Sequence, residues 1–188
     1  MIINLHGFKS HGKNSMYKIL VKFFEEESIF SPTLPDSPFE VVSLVDHFLQ
    51  NNRNQSHIII GSSLGGFYAN YFCKKENIPT HLINPSFKPW LNLSKQVGWH
   101  QRYGTKDHFE WRSAYLDELL ELDLIIESLE PTDVELNLYL GKNDMVIDHN
   151  YLKEDFNRYR QVWTNDGHRF SEASFIKYVI PNIHKHFL

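Results

Sequence analysis

Three residues able to share one reaction stand in a telling order along the chain: Ser63, then Asp144, then His168. A serine hydroxyl is a poor nucleophile until a neighbouring base takes its proton, and that base needs a third group to orient it. Ser63 is the centre of Gly61-Ser62-Ser63-Leu64-Gly65, which follows the apolar run His57-Ile58-Ile59-Ile60 and precedes the helix-like stretch Phe67 to Phe72. Strand, Gly-x-Ser-x-Gly, helix is the order of a nucleophile elbow. Its sharp turn strains the serine backbone, and side chains two residues to either side would collide, so Gly61 and Gly65 are required there. The helix that follows points its free N–H groups toward the serine oxygen.

Asp144 ends a strand and a glycine turn in Leu138-Tyr139-Leu140-Gly141-Lys142-Asn143-Asp144, and His168 closes the loop after Val162-Trp163-Thr164-Asn165. These are the places of acid and base when the chain order is Ser, acid, His. Ser62 has no glycine two residues away on either side. Asp148 reads as the N-cap of a helix beginning at His149, and Asp166 is too near His168 in sequence to hold the imidazole from behind. The oxyanion of acyl transfer needs two backbone donors. The N–H of Leu64, next to the nucleophile, and the N–H of Phe8, in the loop after the first strand, are the candidates. Gly7 lets that loop approach a substrate, and His6 is expected to pack and hydrogen-bond the loop without joining the chemistry.

A second motif overlaps the first strand. Gly7-Phe8-Lys9-Ser10-His11-Gly12-Lys13 matches the glycine and lysine spacing of a phosphate-binding loop. The position that should hold Mg²⁺ with Ser or Thr is Asn14, and the apolar strand that should end in aspartate ends in Gly-Ser-Ser. A nucleotide hydrolase is therefore disfavoured. Cys73, amid Ala69, Tyr71 and Phe72, reads as a packing thiol. His184 and His186 suit the negative end of a last helix. No metal-ligand spacing is visible, and the chemistry does not require a metal.

The elements that must position these residues alternate. Candidate strands are Ile2–Leu5, Ile29–Leu34, His57–Gly61, Thr80–Asn84, Glu135–Gly141 and Gln161–Asn165. Helical patterns lie near Ser15–Glu27, Phe39–Asn51, Leu64–Lys75, His149–Tyr159 and Ser171–His186. Strands separated by helices imply a mostly parallel α/β sheet with helices on both faces. Functional residues then belong at the carboxyl ends of the strands, where His6-Gly7-Phe8, Ser63, Asn84-Pro85, Asp144 and His168 all fall. From Ser86 to Pro131 no strand is evident. That stretch holds Trp90, Trp99 and Trp111, is basic at first (Lys88, Lys95, Arg102, Lys106, Arg112), and ends in an acidic helix from Tyr115 to Glu130. Leu116, Leu119, Leu120, Ile126 and Leu129 form the expected apolar side of that helix. The stretch reads as a small helical cap over the site.

The 188 residues suit one domain, and 41 % apolar residues suit a real core. A formal charge of −4 argues against nucleic acid as a partner. One cysteine, no apolar run of bilayer-spanning length and a glycine as early as Gly7 point to a soluble cytoplasmic domain. Oligomeric state is not readable from the sequence.

Taken together, Leu5-His6-Gly7-Phe8-Lys9-Ser10, Gly61 to Ala69, Ile83-Asn84-Pro85-Ser86, Asn143 to Asp148 and Gly167-His168-Arg169-Phe170 resemble the small bacterial YqiA-like esterases of the α/β-hydrolase superfamily. The likeness runs through nearly the whole chain and is loosest in the cap. It implies a single-domain serine esterase for small-molecule acyl esters, extending to acyl-CoA thioesters, with no metal or organic cofactor. An acyl-CoA thioesterase or acyltransferase that uses the same triad is the alternative. It supports Ser63, Asp144 and His168 as triad and the Phe8 and Leu64 amides as oxyanion donors. Arg169 departs from the small residue such families often carry there. For a thioesterase, Lys88, Arg102 and Lys106 of the cap are the cations expected to meet CoA phosphates. A non-catalytic binding module on a hydrolase scaffold is the third reading.

Overall fold

A computed structural model describes residues 1–130, 133–149, 156–157 and 159–187. Among them, six strands form one sheet: β1 (Ile2–Leu5), β2 (Ile29–Phe30), β3 (Ile58–Ser62), β4 (Thr80–Ile83), β7 (Leu136–Gly141) and β8 (Arg160–Thr164). Their order is β2-β1-β3-β4-β7-β8, and every neighbouring pair is parallel. Two further strands, β5 (Gly98–Gln101) and β6 (His108–Trp111), pair antiparallel as a separate hairpin.

Strands buried on both faces read as continuous apolar runs, which is why Ile2-Ile3 and Ile58-Ile59-Ile60 are legible. Alternate side chains enter two cores. Ile3, Leu5, Ile59, Leu82, Leu138 and Leu140 pack with α2 (Pro38–Asn51), α3 (Leu64–Glu76) and α5 (Ala114–Ser128). Ile2, Ile58, Ile60, Ile83 and Tyr139 pack with α1 (Ser15–Leu20) and with the C-terminal stretch that runs from the short α6 (Glu172–Ser174) to α7 (Ile180–His184), through Phe175, Val179, Ile180 and Ile183. β1 sits between β2 and β3, so the chain leaves β1 on one side and returns on the other. That switch point opens a crevice at the carboxyl edge, and it places the loops after β1 and β3 side by side.

Several boundaries differ from expectation. β2 stops at Phe30 rather than Leu34, because Pro32 has no N–H to give a ladder. α1 ends at Leu20 rather than near Glu27; Lys22 and Phe23 already bond three residues back, to Ile19 and Leu20. The last helical stretch contains a π-helical turn, Phe175–Val179, just ahead of Pro181. Proline removes the donor that Lys177 would accept from and crowds that carbonyl, so the turn widens. The expected helix His149–Tyr159 falls mostly outside the described residues.

The stretch between β4 and β7 holds the largest correction. It is not helical throughout: after the short α4 (Pro89–Leu93) comes the β5–β6 hairpin, then α5. The period of two was present in His108-Phe109-Glu110-Trp111, where Phe109 and Trp111 are buried and their neighbours are not. Gly104, with φ of +73°, lies in the turn. α5 belongs to the helical layer, packing on α2 and α3. It buries Leu119, Leu122 and Ile126, whereas Leu120 faces outward. Only the front half of this stretch reaches the site.

Candidate active site

Ser63 sits between β3 and α3 with φ of +52°, strain that an L-residue keeps only where its surroundings force it. A β-carbon at Gly65 would lie 2.1 Å from the Leu5 carbonyl oxygen, and one at Gly61 would lie 2.3 Å from that of Gly65. The glycines are thus required by the backbones of β1 and α3 crossing beneath the turn. Ser63 N–H donates to Ile83, and the Ser63 carbonyl accepts from Gly66 and Ser86, which fixes the elbow to the end of β4.

The structure brings the three expected side chains together. His168 Nε2 is 3.1 Å from Ser63 Oγ, and His168 Nδ1 is 2.8 Å from Asp144 Oδ2. The Asp144 carboxylate is almost wholly buried. Its Oδ1 accepts from the Val146 and Ile147 amides at 2.8 and 3.0 Å, and its Oδ2 accepts from both His168 and His149. Burial pushes this carboxyl upward, but hydrogen bonds from His149, His168, Ile147 and Val146 outweigh it and hold the group well below the usual carboxylate range. Asp166 is elsewhere: it accepts from Thr164 Oγ1 and the Ser171 amide, stapling the loop before α6.

Asn84 clamps the His168 loop from below. Buried at the end of β4 with φ of +43°, it donates to the Gly167 and His168 carbonyls at 2.9 and 3.0 Å. Its Oδ1 accepts from the Gly141 amide at 2.7 Å. One side chain therefore ties the His168 loop to β7, which leads into Asp144. Its place at the strand edge was legible; its two-way bridging was not.

Phe8 lies beside Gly7 on the cleft wall, and Leu64 opens α3; among the described residues neither amide donates to a loop or turn carbonyl. The hairpin holds the Phe8 loop in place. Phe8 meets His100, Phe109 and Trp111 edge-on at 5.1–5.6 Å, and the Tyr103 amide donates to the Lys9 carbonyl at 2.7 Å. His6 is buried, its Nδ1 side against the Gly7 carbonyl and its Nε2 accepting from the Leu34 amide. That pattern is a neutral ring with the proton on Nδ1, and burial lowers its pKa to about 4. It packs the loop as expected.

The phosphate-loop spacing has other causes. A β-carbon at Gly7 would crowd Ser63, one at Gly12 would strike the Ser31 carbonyl at 2.2 Å, and Asn14 caps α1 through the Tyr17 amide. Cys73 is buried, and burial raises its thiol to about 11.

Ser63 and His168 open onto a cleft of about 390 Å³ whose wall includes His11, Lys13, Lys18, Tyr103 and Arg169. Arg169 lies over the Tyr103 ring. No carboxylate is among the described residues of that wall. The expectation for two of the cap cations, Arg102 and Lys88, is corrected here. Arg102 is an internal strut: only 12 % of its side chain is exposed, it pairs with Asp36, donates to the Ser10 and Leu34 carbonyls, and stacks on Phe109. Lys88 lines a different hollow, beside Leu91 and Val146. His149, which the sequence suggested only as the start of a helix, is the site residue that was missed. A histidine five residues after an acid carries no recognisable spacing signal.

The fold recurs in proteins of low sequence identity. Residues 1–184 match the model of the Uncharacterised protein family (UPF0227). The protein YcfP of Escherichia coli O9:H4 (strain HS) is 24 % identical over 184 residues, 93 % of each chain. Paleococcus ferrophilus monoacylglycerol lipase superposes with a TM-score of 0.73 at 12 % identity, over 98 % of this chain and 94 % of its own. Mouse alpha/beta hydrolase domain-containing protein 10 gives 0.69 at 14 % identity, over 100 % and 90 %. With its parallel sheet, its elbow after β3 and a family match that spans nearly every residue, the chain has the α/β-hydrolase fold and belongs to the UPF0227 family.

Proposed function

We propose that the protein is a serine esterase that cleaves carboxylic esters through an acyl-enzyme. The observation that carries this reading is the continuous path Ser63 Oγ, His168 imidazole, Asp144 carboxylate, with contacts of 3.1 and 2.8 Å on a strained elbow. Ser63 Oγ attacks the carbonyl carbon while His168 Nε2 takes its proton. The Phe8 and Leu64 amides receive the oxygen as it becomes negative. His168 then gives the proton to the departing alkoxide, leaving Ser63 acylated. Water then attacks the acyl carbon while His168 takes its proton, the bond from that carbon to Ser63 Oγ breaks, and His168 returns the proton to Ser63 Oγ as the carboxylic acid departs. Asp144 keeps the proton of His168 on Nδ1, so that Nε2 faces the nucleophile as an acceptor. The lipase-like relatives in fold accord with this chemistry but do not choose the ester.

A second reading shares the triad: cleavage of an acyl thioester whose thiol portion carries negative charge. Lys13, Lys18 and Arg169 on a cleft wall without carboxylates favour it, in a chain whose net charge is −4. Turnover of p-nitrophenyl esters graded by chain length, beside acyl-CoA substrates, separates the two. The esterase reading expects turnover of the simple esters, abolished in Ser63→Ala. Thioester turnover alone would replace it with the second reading, and no turnover of either would leave a binding module.

A further inference from the structure

Asp144 is held by two histidines, not one. His149 Nε2 lies 3.1 Å from the same Oδ2 that faces His168, and its side chain is 1 % exposed. We propose that His149 is a positioning residue for the triad: its Nε2–H fixes the Asp144 carboxylate so that Oδ2 stays aimed at the His168 ring.

The hydrogen-bond inventory supports that role. Oδ1 is taken by two backbone amides of the turn after Asp144, which set the height of the carboxylate but leave Oδ2 to be fixed from the side. Among the described residues, only His168 and His149 reach Oδ2. His168 must release this contact partly whenever its ring moves between nucleophile and leaving group, whereas His149 touches neither and does not face the cleft. Among the described residues His149 Nδ1 is buried without a partner, so the tautomer with hydrogen on Nε2 is the one that leaves no orphaned N–H. Among the described residues, the charged groups that line with it a cavity of about 180 Å³ beside Trp163 are Asp144 itself, Lys142 and Asp148. Without His149 the carboxylate would lose a donor and concentrate its charge on His168, and a displacement on the order of 1 Å costs about 100-fold in rate.

The proposal rests on the triad reading, and the test separates the two. His149→Phe keeps the volume and removes the donor; His149→Gln restores an N–H near the position of Nε2. For a Ser63-dependent ester, H149F is expected to lower kcat 10- to 100-fold with KM within about twofold, in line with losses on removing a group that orients a catalytic ligand. The acid limb of its kcat/KM profile should move to higher pH, and H149Q should recover most of both effects. Parent-like kcat and pH profile in folded H149F overturns the proposal, as does an H149Q that is no better than H149F. A parent that turns over neither ester nor thioester defeats the triad reading instead; the placement of His149 is then decided by ¹⁵N shifts of its ring, which also decide it if neither variant folds. Hydrogen on Nε2, coupled to Asp144, supports it, and an Nδ1–H tautomer overturns it.

Discussion

Asn84→Asp is the most informative single change away from the reacting atoms. It is isosteric, so packing at the end of β4 is kept. The contact with the Gly141 amide at 2.7 Å survives, because an oxygen remains there to accept. The two donated bonds, at 2.9 and 3.0 Å to the Gly167 and His168 carbonyls, become oxygen–oxygen contacts in a buried place. Two lost bonds that leave their acceptors unsatisfied cost on the order of 3 kcal/mol together. At roughly 2–4 °C per kcal/mol for a chain of this size, the variant should melt about 10 °C lower. The larger effect belongs to the base: repulsion lifts the Gly167-His168 loop, and a shift of about 1 Å between His168 and Ser63 should lower kcat roughly 100-fold while KM changes little. Steady-state hydrolysis of a short p-nitrophenyl ester, with a thermal melt on the same sample, reads both quantities. An N84D protein with the parent's melt and kcat would refute the idea that this side chain sets the height of the base.

Other outcomes follow from the same structure. Gly65→Ala, whose β-carbon would meet the Leu5 carbonyl at 2.1 Å, should lose on the order of 3 kcal/mol in urea unfolding, since the obstruction is backbone and cannot rotate away. Arg102→Met should lower the melting temperature and kcat while leaving the KM ratio between acyl-CoA and simple esters unchanged, because Arg102 braces Ser10 and Leu34 and is paired with Asp36; a selective rise in KM for the thioester would restore it as a phosphate contact. For pH, His6 has a folded pKa of about 4 against 6.5 unfolded, so the unfolded chain binds the extra proton between those values. Stability should therefore be full above about pH 6.5 and fall by up to roughly 3 kcal/mol as pH drops toward 4. His6→Gln, which still offers an acceptor to the Leu34 amide, should flatten that slope in melts from pH 4 to 7, and an unchanged slope would assign the loss to another group such as the buried His81.

The parts legible in the sequence share one property: each was written in a local pattern. Buried parallel strands appear as Ile-rich runs, the elbow as two glycines around Ser63, and the meeting of Asp144 with His168 as two polar residues in the loops that follow β7 and β8. What was not legible depends on contacts between distant segments. The β5–β6 hairpin is short and half exposed, and its aromatic alternation was masked by surrounding tryptophans and charges; its burial comes from Phe8, about a hundred residues upstream. Arg102 looked like a free cation until Asp36 and two carbonyls closed around it. Asn84 and His149 act by bridging, and nothing in their neighbours announces the far end of the bridge. α5 illustrates a third kind of miss: its periodicity is legible, but Leu120, expected on the apolar side, faces outward while Leu122, outside the expected set, is buried, because both are leucine and only the partner helices decide which one turns inward.

The account depends on Ser63 being a hydroxyl that His168 activates. Treating the folded protein with a fluorophosphonate and locating the adduct by peptide mass spectrometry tests that directly. A single adduct on Ser63, lost in Ser63→Ala and slowed by orders of magnitude in His168→Ala, is the expected result. Folded protein that stays unmodified at Ser63, or that reacts there equally well without His168, would contradict it.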